Sequence, residues 1–150
     1  SKPMVGNSSP APCMRPVVLD TSVVVAGLIA RRGAASALVE AFFADRLHLA
    51  YTPAILGEYA EVLARPELAG VIAPNDRIGI ILKLRASGFL IEPAAVPIAA
   101  WPDVDDLPFV CAALAVESKT IINLNPRDFA PAADFGVRVL SPSQGRRECL

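Results

Sequence analysis

The sequence predicts a three-layer α/β/α sandwich with a mostly parallel sheet, and three observations carry that expectation. Short apolar runs, of the kind buried on both faces of a parallel sheet, recur at residues 17–19, 47–51, 120–124 and 137–140. Between them lie stretches with helical composition and helix-cap signals, so strand alternates with helix. The chain of 150 residues is 53% apolar and only 19% charged, which excludes disorder and coiled coil and suits one domain with its own core.

Residues 1–14 are Pro, Ser, Gly and Asn with few anchoring side chains and read as a flexible extension. The folded domain is expected over 15–142, with 143–150 as a polar C-terminal tail. Asp20 directly follows the first apolar run and precedes Thr21, Ser22 and a second run at 23–30, so it ends a strand and opens a helix. Open α/β sheets hold their ligands at that position, outside the carboxyl ends of the strands. The alternative is that Asp20 only caps the helix.

Residues 36–45 have helical composition and lead into the strand at 47–51, where His48 reads as a half-buried packing residue and not a catalytic base. Thr52 followed by Pro53 is a cap with proline at the first helical position, which predicts a helix over 53–65 ended by Pro66. At ~100° per residue Ile55, Tyr59, Val62 and Leu63 share one face, Glu58 sits at its edge, and Glu61 turns to solvent. Asn75 or Asp76 is expected to cap a helix over 77–87 that stops at Gly88, followed by a short strand at 89–91 and a loop at 93–102. Asp105 or Asp106 opens a further helix to about 118, and the strands at 120–124 and 137–140 complete the order.

Fourteen Lys and Arg against fifteen Asp and Glu leave a net charge of -1, so a nucleic-acid partner needs a local basic patch. Three widely separated cysteines, Cys13, Cys111 and Cys149, make no CxxC pair, which argues against a disulfide framework and a thiolate zinc site and fits a reducing compartment. No apolar run is long enough to span a bilayer, and the reading is a cytoplasmic protein without a membrane partner.

Asp20, Glu58, Asp106 and Asn125 are expected to meet at one edge of the sheet. Clustered carboxylates repel unless a cation neutralises them. Oxygen donors, with one His in the chain and no Cys grouping, point to Mg²⁺ or Mn²⁺ and to phosphodiester hydrolysis. Taken singly, Glu58 also reads as a solvated helix residue, though less readily than Glu61 because it borders the apolar stripe, Asp103, Asp105 and Asp106 read by default as a capping run, and Asn125-Pro126 reads as a turn.

At these residues the chain resembles the PIN-domain family, in particular the toxin components of bacterial toxin–antitoxin systems similar to VapC-type ribonucleases. The matching pieces are VVLDTSVVVAGL at 17–28, TPAILGEYAEVLARPE at 52–67, DVDDLPFVCAA at 103–113, IINLNPRDF at 121–129 and VLSP at 139–142. The resemblance implies metal-dependent cleavage of single-stranded RNA, a homodimer and a cognate antitoxin. By motif, Asp20, Glu58 and Asp106 would be the metal carboxylates, with Asp103 a contributor. Ser22 would orient Asp20, Asn125 would close the site, and Asp105 and Asp128 would stand in support. The chain departs from the family at Asn123-Leu124, where Thr-Gly is usual, and its amide at 125 gives the site one formal negative charge fewer than an aspartate would.

The favoured function is thus a Mg²⁺ or Mn²⁺ ribonuclease, with Arg31, Arg32, Arg65 and Arg127 as candidate phosphate contacts. The competing reading is a non-catalytic protein-interaction module of the same fold, separable by metal affinity. Phosphoryl transfer through Asp20 lacks a second Asp two residues later and a Lys after a small apolar strand. The surplus of apolar positions at 78–84 (IGIILKL) predicts a face covered by a second subunit.

Overall fold

All strand pairings in the computed structural model, which describes residues 15–96, 101 and 103–150, are parallel. The order is β1 (Val18–Leu19), α1 (Thr21–Ile29), α2 (Ala34–Phe43), β2 (Ala50–Tyr51), α3 (Pro53–Leu63), α4 (Pro74–Ser87), β3 (Phe89–Leu90), α5 (Leu107–Ala115), β4 (Thr120–Ile122), β5 (Arg138–Leu140) and α6 (Pro142–Cys149). Turns of 3-10 helix lie at Pro66–Leu68 and Pro126–Phe135.

The strands pair as β1-β4-β5 and β2-β3. A parallel bridge between Val17 and Leu49 joins the two sets, through Val17 N–H to the His48 carbonyl at 3.0 Å and Ala50 N–H to the Val17 carbonyl at 2.9 Å. The sheet order is therefore β3-β2-β1-β4-β5, and the winding reverses between β1 and β4. Such a reversal opens a crevice at the carboxyl ends of the two strands, because their following connections leave toward opposite faces.

The central strands β1 and β4 are covered on both faces: Val18, Leu19, Ile121 and Ile122 are each 0% exposed. Helices α1, α2 and α6 pack on one another, while α3 packs against α4 and α5, and α5 also against β1 and β4, which gives the three-layer α/β/α sandwich. Two close approaches fix this packing. A Cβ on Gly27 would come within 2.6 Å of the Ala35 carbonyl where α1 meets α2, and one on Gly145 within 2.6 Å of Ile122 Cδ1 where α6 meets the sheet. His48 stacks edge-on to Phe89, the packing role expected for it.

Several boundaries move. Helix α4 begins at Pro74 with Ala73 as its cap, so neither Asn75 nor Asp76 caps it; a first-position proline gives up no needed N–H, and Asp76 instead stands in the first turn. Helix α5 stops at Ala115, short of 118, because Val116 is extended, and Lys119 then turns with φ 49. The pairs at the strand ends are fewer than the apolar runs suggest, so each strand is two or three residues long. The segment read as a polar tail carries α6: Ser141 and Gln144 form a reciprocal capping box, and Arg138 of β5 pairs with Glu148. The extension read at 1–14 lies outside the described residues, as do 97–100 and 102 of the loop read at 93–102.

Candidate active site

Asp20 stands where β1 ends, and its backbone N–H reaches the Ile122 carbonyl of β4 at 2.9 Å. Its extended backbone (φ -64, ψ 150) begins α1, and its Oδ2 accepts from both the Ser22 N–H, at 3.1 Å, and the Ser22 hydroxyl. Asp20 is thus a helix cap, and it stands at the switch point. Ser22 orients it, as expected.

Two residues beside it carry a support that the sequence did not reveal. The Thr21 hydroxyl, buried at the first position of α1, donates to Glu58 Oε2 and so ties the second carboxylate to the Asp20 loop. Tyr59, the neighbour of Glu58, turns into the core and donates its hydroxyl to the Leu19 carbonyl, immediately before Asp20. On α3 Ile55, Tyr59 and Leu63 are buried, Glu58 is half-buried and Glu61 exposed, which is the arrangement the helical spacing dictates. A sequence signal existed only for Tyr59, an amphipathic side chain on an apolar stripe whose hydroxyl needs a partner when buried.

Asp106 precedes α5 in αR conformation and makes no side-chain cap bond, so its carboxylate is not consumed by the helix end. The Asp103 carboxylate instead accepts from the Asp105 N–H at 2.9 Å and shapes the loop. After β4, Asn123 is buried, and its side-chain oxygen accepts from the Asn125 N–H at 2.6 Å. This is the structural role of the residue at which the chain departs from the family pattern: an Asn side chain makes the turn. Asn125 is exposed, opens the 3-10 segment and donates through Nδ2 to Asp128 Oδ1 at 3.2 Å.

Electrostatics join these groups. Burial raises the Asp20 carboxyl above the ordinary range, the Ser22 bonds lower it, and the charge of Asp128 adds to the rise. Glu58 is raised by burial, held down in part by the Thr21 hydroxyl, and raised again by Asp20 and Asp105. Asp106 is pushed up to about 6, first by burial and then by Asp103, Asp20, Asp128 and Asp105. With Glu61, which also acts on Glu58, seven carboxylates from four segments therefore share one field. Asp128, the weaker candidate in sequence, acts on both Asp20 and Asp106, whereas Asn125 reaches the cluster through Asp128.

A cleft of about 670 Å³ opens on this edge, lined by Thr21, Ser22, Glu58, Glu61, Arg65 and Asp105, with Val25, Ile29 and Leu124 as its apolar wall. Asp105 lines it and acts on Glu58, so Asp105 and Asp106 face different members of the cluster. Arg65 lies in the cleft as expected, paired with Glu61 at 4.0 Å. Arg31 and Arg32 do not; they line a separate cavity. Arg127 is exposed at the start of the 3-10 segment.

The donor set is all oxygen, partly desolvated and mutually repulsive, which suits a hard divalent cation. Among the described residues no three acidic, His or Cys side chains already converge as a ligand cage. Asp20, Glu58 and Asp128 are each turned to a local donor, Ser22, Thr21 and Asn125.

Fold and site together define a parallel α/β domain with an acidic cluster at its switch point. A family model described as PIN domain matches residues 16–127, and the chain belongs to the PIN-domain family. No curated protein and no solved structure matches it. The family supplies a nuclease fold, in general dependent on divalent metal, and at that level the chain is a phosphodiester hydrolase. The match spans Asp20, Glu58, Asp103 to Asp106 and Asn125, and ends one residue before Asp128. No single helix among the described residues is long and apolar enough to cross a membrane.

Proposed function

We propose that the protein is a Mg²⁺- or Mn²⁺-dependent endoribonuclease acting on single-stranded RNA, and the toxin of a toxin–antitoxin pair in the cytoplasm. The observation that carries the reading is the shared field of Asp20, Glu58 and Asp106 at the switch point, raised in all three toward protonation. Carboxylates gathered in this way repel one another once ionised, and a divalent cation relieves that repulsion.

Asp20, Glu58 and Asp106 are the residues that hold the ion, with Asp103 beside Asp106. When bound, Mg²⁺ or Mn²⁺ supplies an acidified water and neutralises charge on the phosphate. Ser22 keeps the Asp20 carboxylate ionised and oriented by two hydrogen bonds to one oxygen. Thr21 does the same for Glu58, and Tyr59 holds the β1 end that carries Asp20. Asn125 contributes by setting Asp128, and Asp105 by facing Glu58. Arg65 is the cation placed to meet a phosphate in the cleft, on exchange from Glu61.

A homodimer is part of the proposal. On α4, Ile80 and Leu84 are buried while Ile78 and Leu82 are 59% and 58% exposed, so this helix presents apolar side chains on two sides. With Ile81, Ala60 and Leu63 they border an apolar groove of about 340 Å³, suited to a second copy of the chain. The competing non-catalytic interaction module draws on one observation, that the described carboxylates are not already gathered into a cage. Incubation of the protein with single-stranded RNA and Mn²⁺ separates the two. Endonucleolytic fragments that vanish in EDTA support the nuclease; intact RNA with no divalent binding at millimolar metal sinks it.

A further inference from the structure

Outside the acidic cleft, a charged cavity of about 510 Å³ lies between the start of α2 and the end of α6. Arg31 and Arg32, from the α1 to α2 connection, line it together with Arg46, which follows α2, and Arg146 of α6. Arg31, Arg32 and Arg46 flank α2 on either side, and the packing of α6 on α2 brings Arg146 to them. That packing is built in, because Gly145 lies directly on Ile122 and the capping box fixes where α6 begins.

None of the four makes an ion pair among the described residues, whereas Arg15, Arg65, Lys83 and Arg138 each do. Glu40 is the single acidic side chain in the described lining, and it accepts from Ser36. Leu150, the last residue, lines the cavity as well, and four guanidinium groups against Glu40 and one terminal carboxylate leave an excess of positive charge, the reverse of the carboxylate cluster, which an anion relieves. The first turn of α2 adds to the field: its cap is Gly33, with φ 103 and no side-chain hydrogen bond, and Gly33 and Ser36 both line the cavity. Guanidinium forks suit phosphate oxygens in particular.

We propose that this cavity binds phosphates of the RNA substrate's backbone, away from the bond that is cut. The identification of the anion as RNA rests on the nuclease reading; the anion site itself does not. Helix α1 links the two places, with Thr21 and Ser22 in the acidic cleft at one end and Arg31 just past the other, roughly two and a half turns or ~13 Å on. A chain of net charge -1 with an acidic active site repels a polyanion, so a separate basic anchor is what holds it near the carboxylates.

The test is binding of a labelled single-stranded oligoribonucleotide to the full chain in EDTA, where no cleavage occurs, at several salt concentrations. The Arg46→Ala/Arg146→Ala double variant is expected to weaken binding about tenfold or more at low salt and to reduce the salt slope by about 1.4, for two lost phosphate contacts. Arg46→Lys/Arg146→Lys keeps the charge and should retain most of the slope. Should the double variant fold poorly in a melting experiment, Arg31→Glu, on a connection outside the helices, gives the same reading. Unchanged affinity and slope overturn the proposal, as does unchanged RNA binding with loss of binding to polyglutamate, which would assign the cavity to an acidic protein segment. A wild-type chain that cuts no RNA, yet loses RNA binding with these arginines, removes the nuclease reading and leaves the anion site standing.

Discussion

At the scale of residues, the account turns on carboxylates held in repulsion. Asp106 is pushed up to about 6 by burial and four neighbouring acids, so the folded metal-free chain keeps a proton that the unfolded chain releases near the ordinary value of 3.8. That stabilisation is complete below about pH 4 and lost as pH rises through about 6. Asp20 and Glu58 are raised in the same direction. The EDTA-treated protein is therefore expected to melt at a lower temperature at pH 7 than at pH 5. Asp106→Asn should flatten this dependence and raise the melting temperature at pH 7; a steeper dependence would contradict the assignment. Metal affinity, read by calorimetry, should climb between pH 5 and 7 as protons stop competing.

Asn125 supplies a second test at this scale. It holds Asp128 and carries no charge of its own, so Asn125→Asp should tighten metal binding if its side chain reaches the ion. Asn125→Ala should lower the cleavage rate without abolishing it. No change in either quantity would reduce residues 125 and 126 to a turn.

At the scale of elements, α3 and the β1 to α1 corner form one device. The corner is tied to α3 twice, through Thr21 to Glu58 and through Tyr59 to Leu19. Helix α1 is seated against α2 by Gly27, so Gly27→Ala is expected to destabilise by about 1–3 kcal/mol in denaturant melts, since Val39 and the Ala35 carbonyl both lie in the way. Ser141→Ala, which removes the capping box of α6, should cost about 1 kcal/mol and loosen the basic cavity with it.

The elements were legible in proportion to how local their causes are. Thr52-Pro53 and the stripe of Ile55, Tyr59 and Leu63 sit in the sequence as cap and period, and α3 follows them closely. Asp20, Glu58 and Asp106 could be placed on one edge because each marks a strand end, a stripe edge or a helix start. Helix α6 was missed because its residues are mostly polar and only Gly145, against Ile122, and Cys149 are buried, too few to show a hydrophobic period in the sequence. Thr21 and Asn123 were missed as supports because a hydroxyl or amide reveals its partner only once the strands are in register. Arg31 and Arg32 were placed near the acids by sequence distance, but the bend between α1 and α2 carries them to another cavity.

At the scale of the molecule, a nearly neutral chain separates its charge, with acids at the switch point and, between α2 and α6, arginines that make no ion pair among the described residues. Helix α4 exposes Ile78 and Leu82, and Ile78→Asp together with Leu82→Asp should convert a dimer to a monomer in light scattering while the chain stays folded, with the loss in melting temperature that losing an associated state brings. A wild-type monomer mass at micromolar concentration would contradict the dimer.

The central claim is that the carboxylates at the switch point hold a divalent ion for phosphodiester cleavage. The most direct measurement is Mn²⁺ binding and RNA cleavage compared between the parent chain and Asp20→Asn, an exchange that keeps shape and loses charge. The account predicts that the parent binds Mn²⁺ and cuts RNA, and that Asp20→Asn binds at least tenfold more weakly and cuts nothing while melting no lower than the parent. Equal Mn²⁺ affinity and equal cleavage in the two proteins would contradict it.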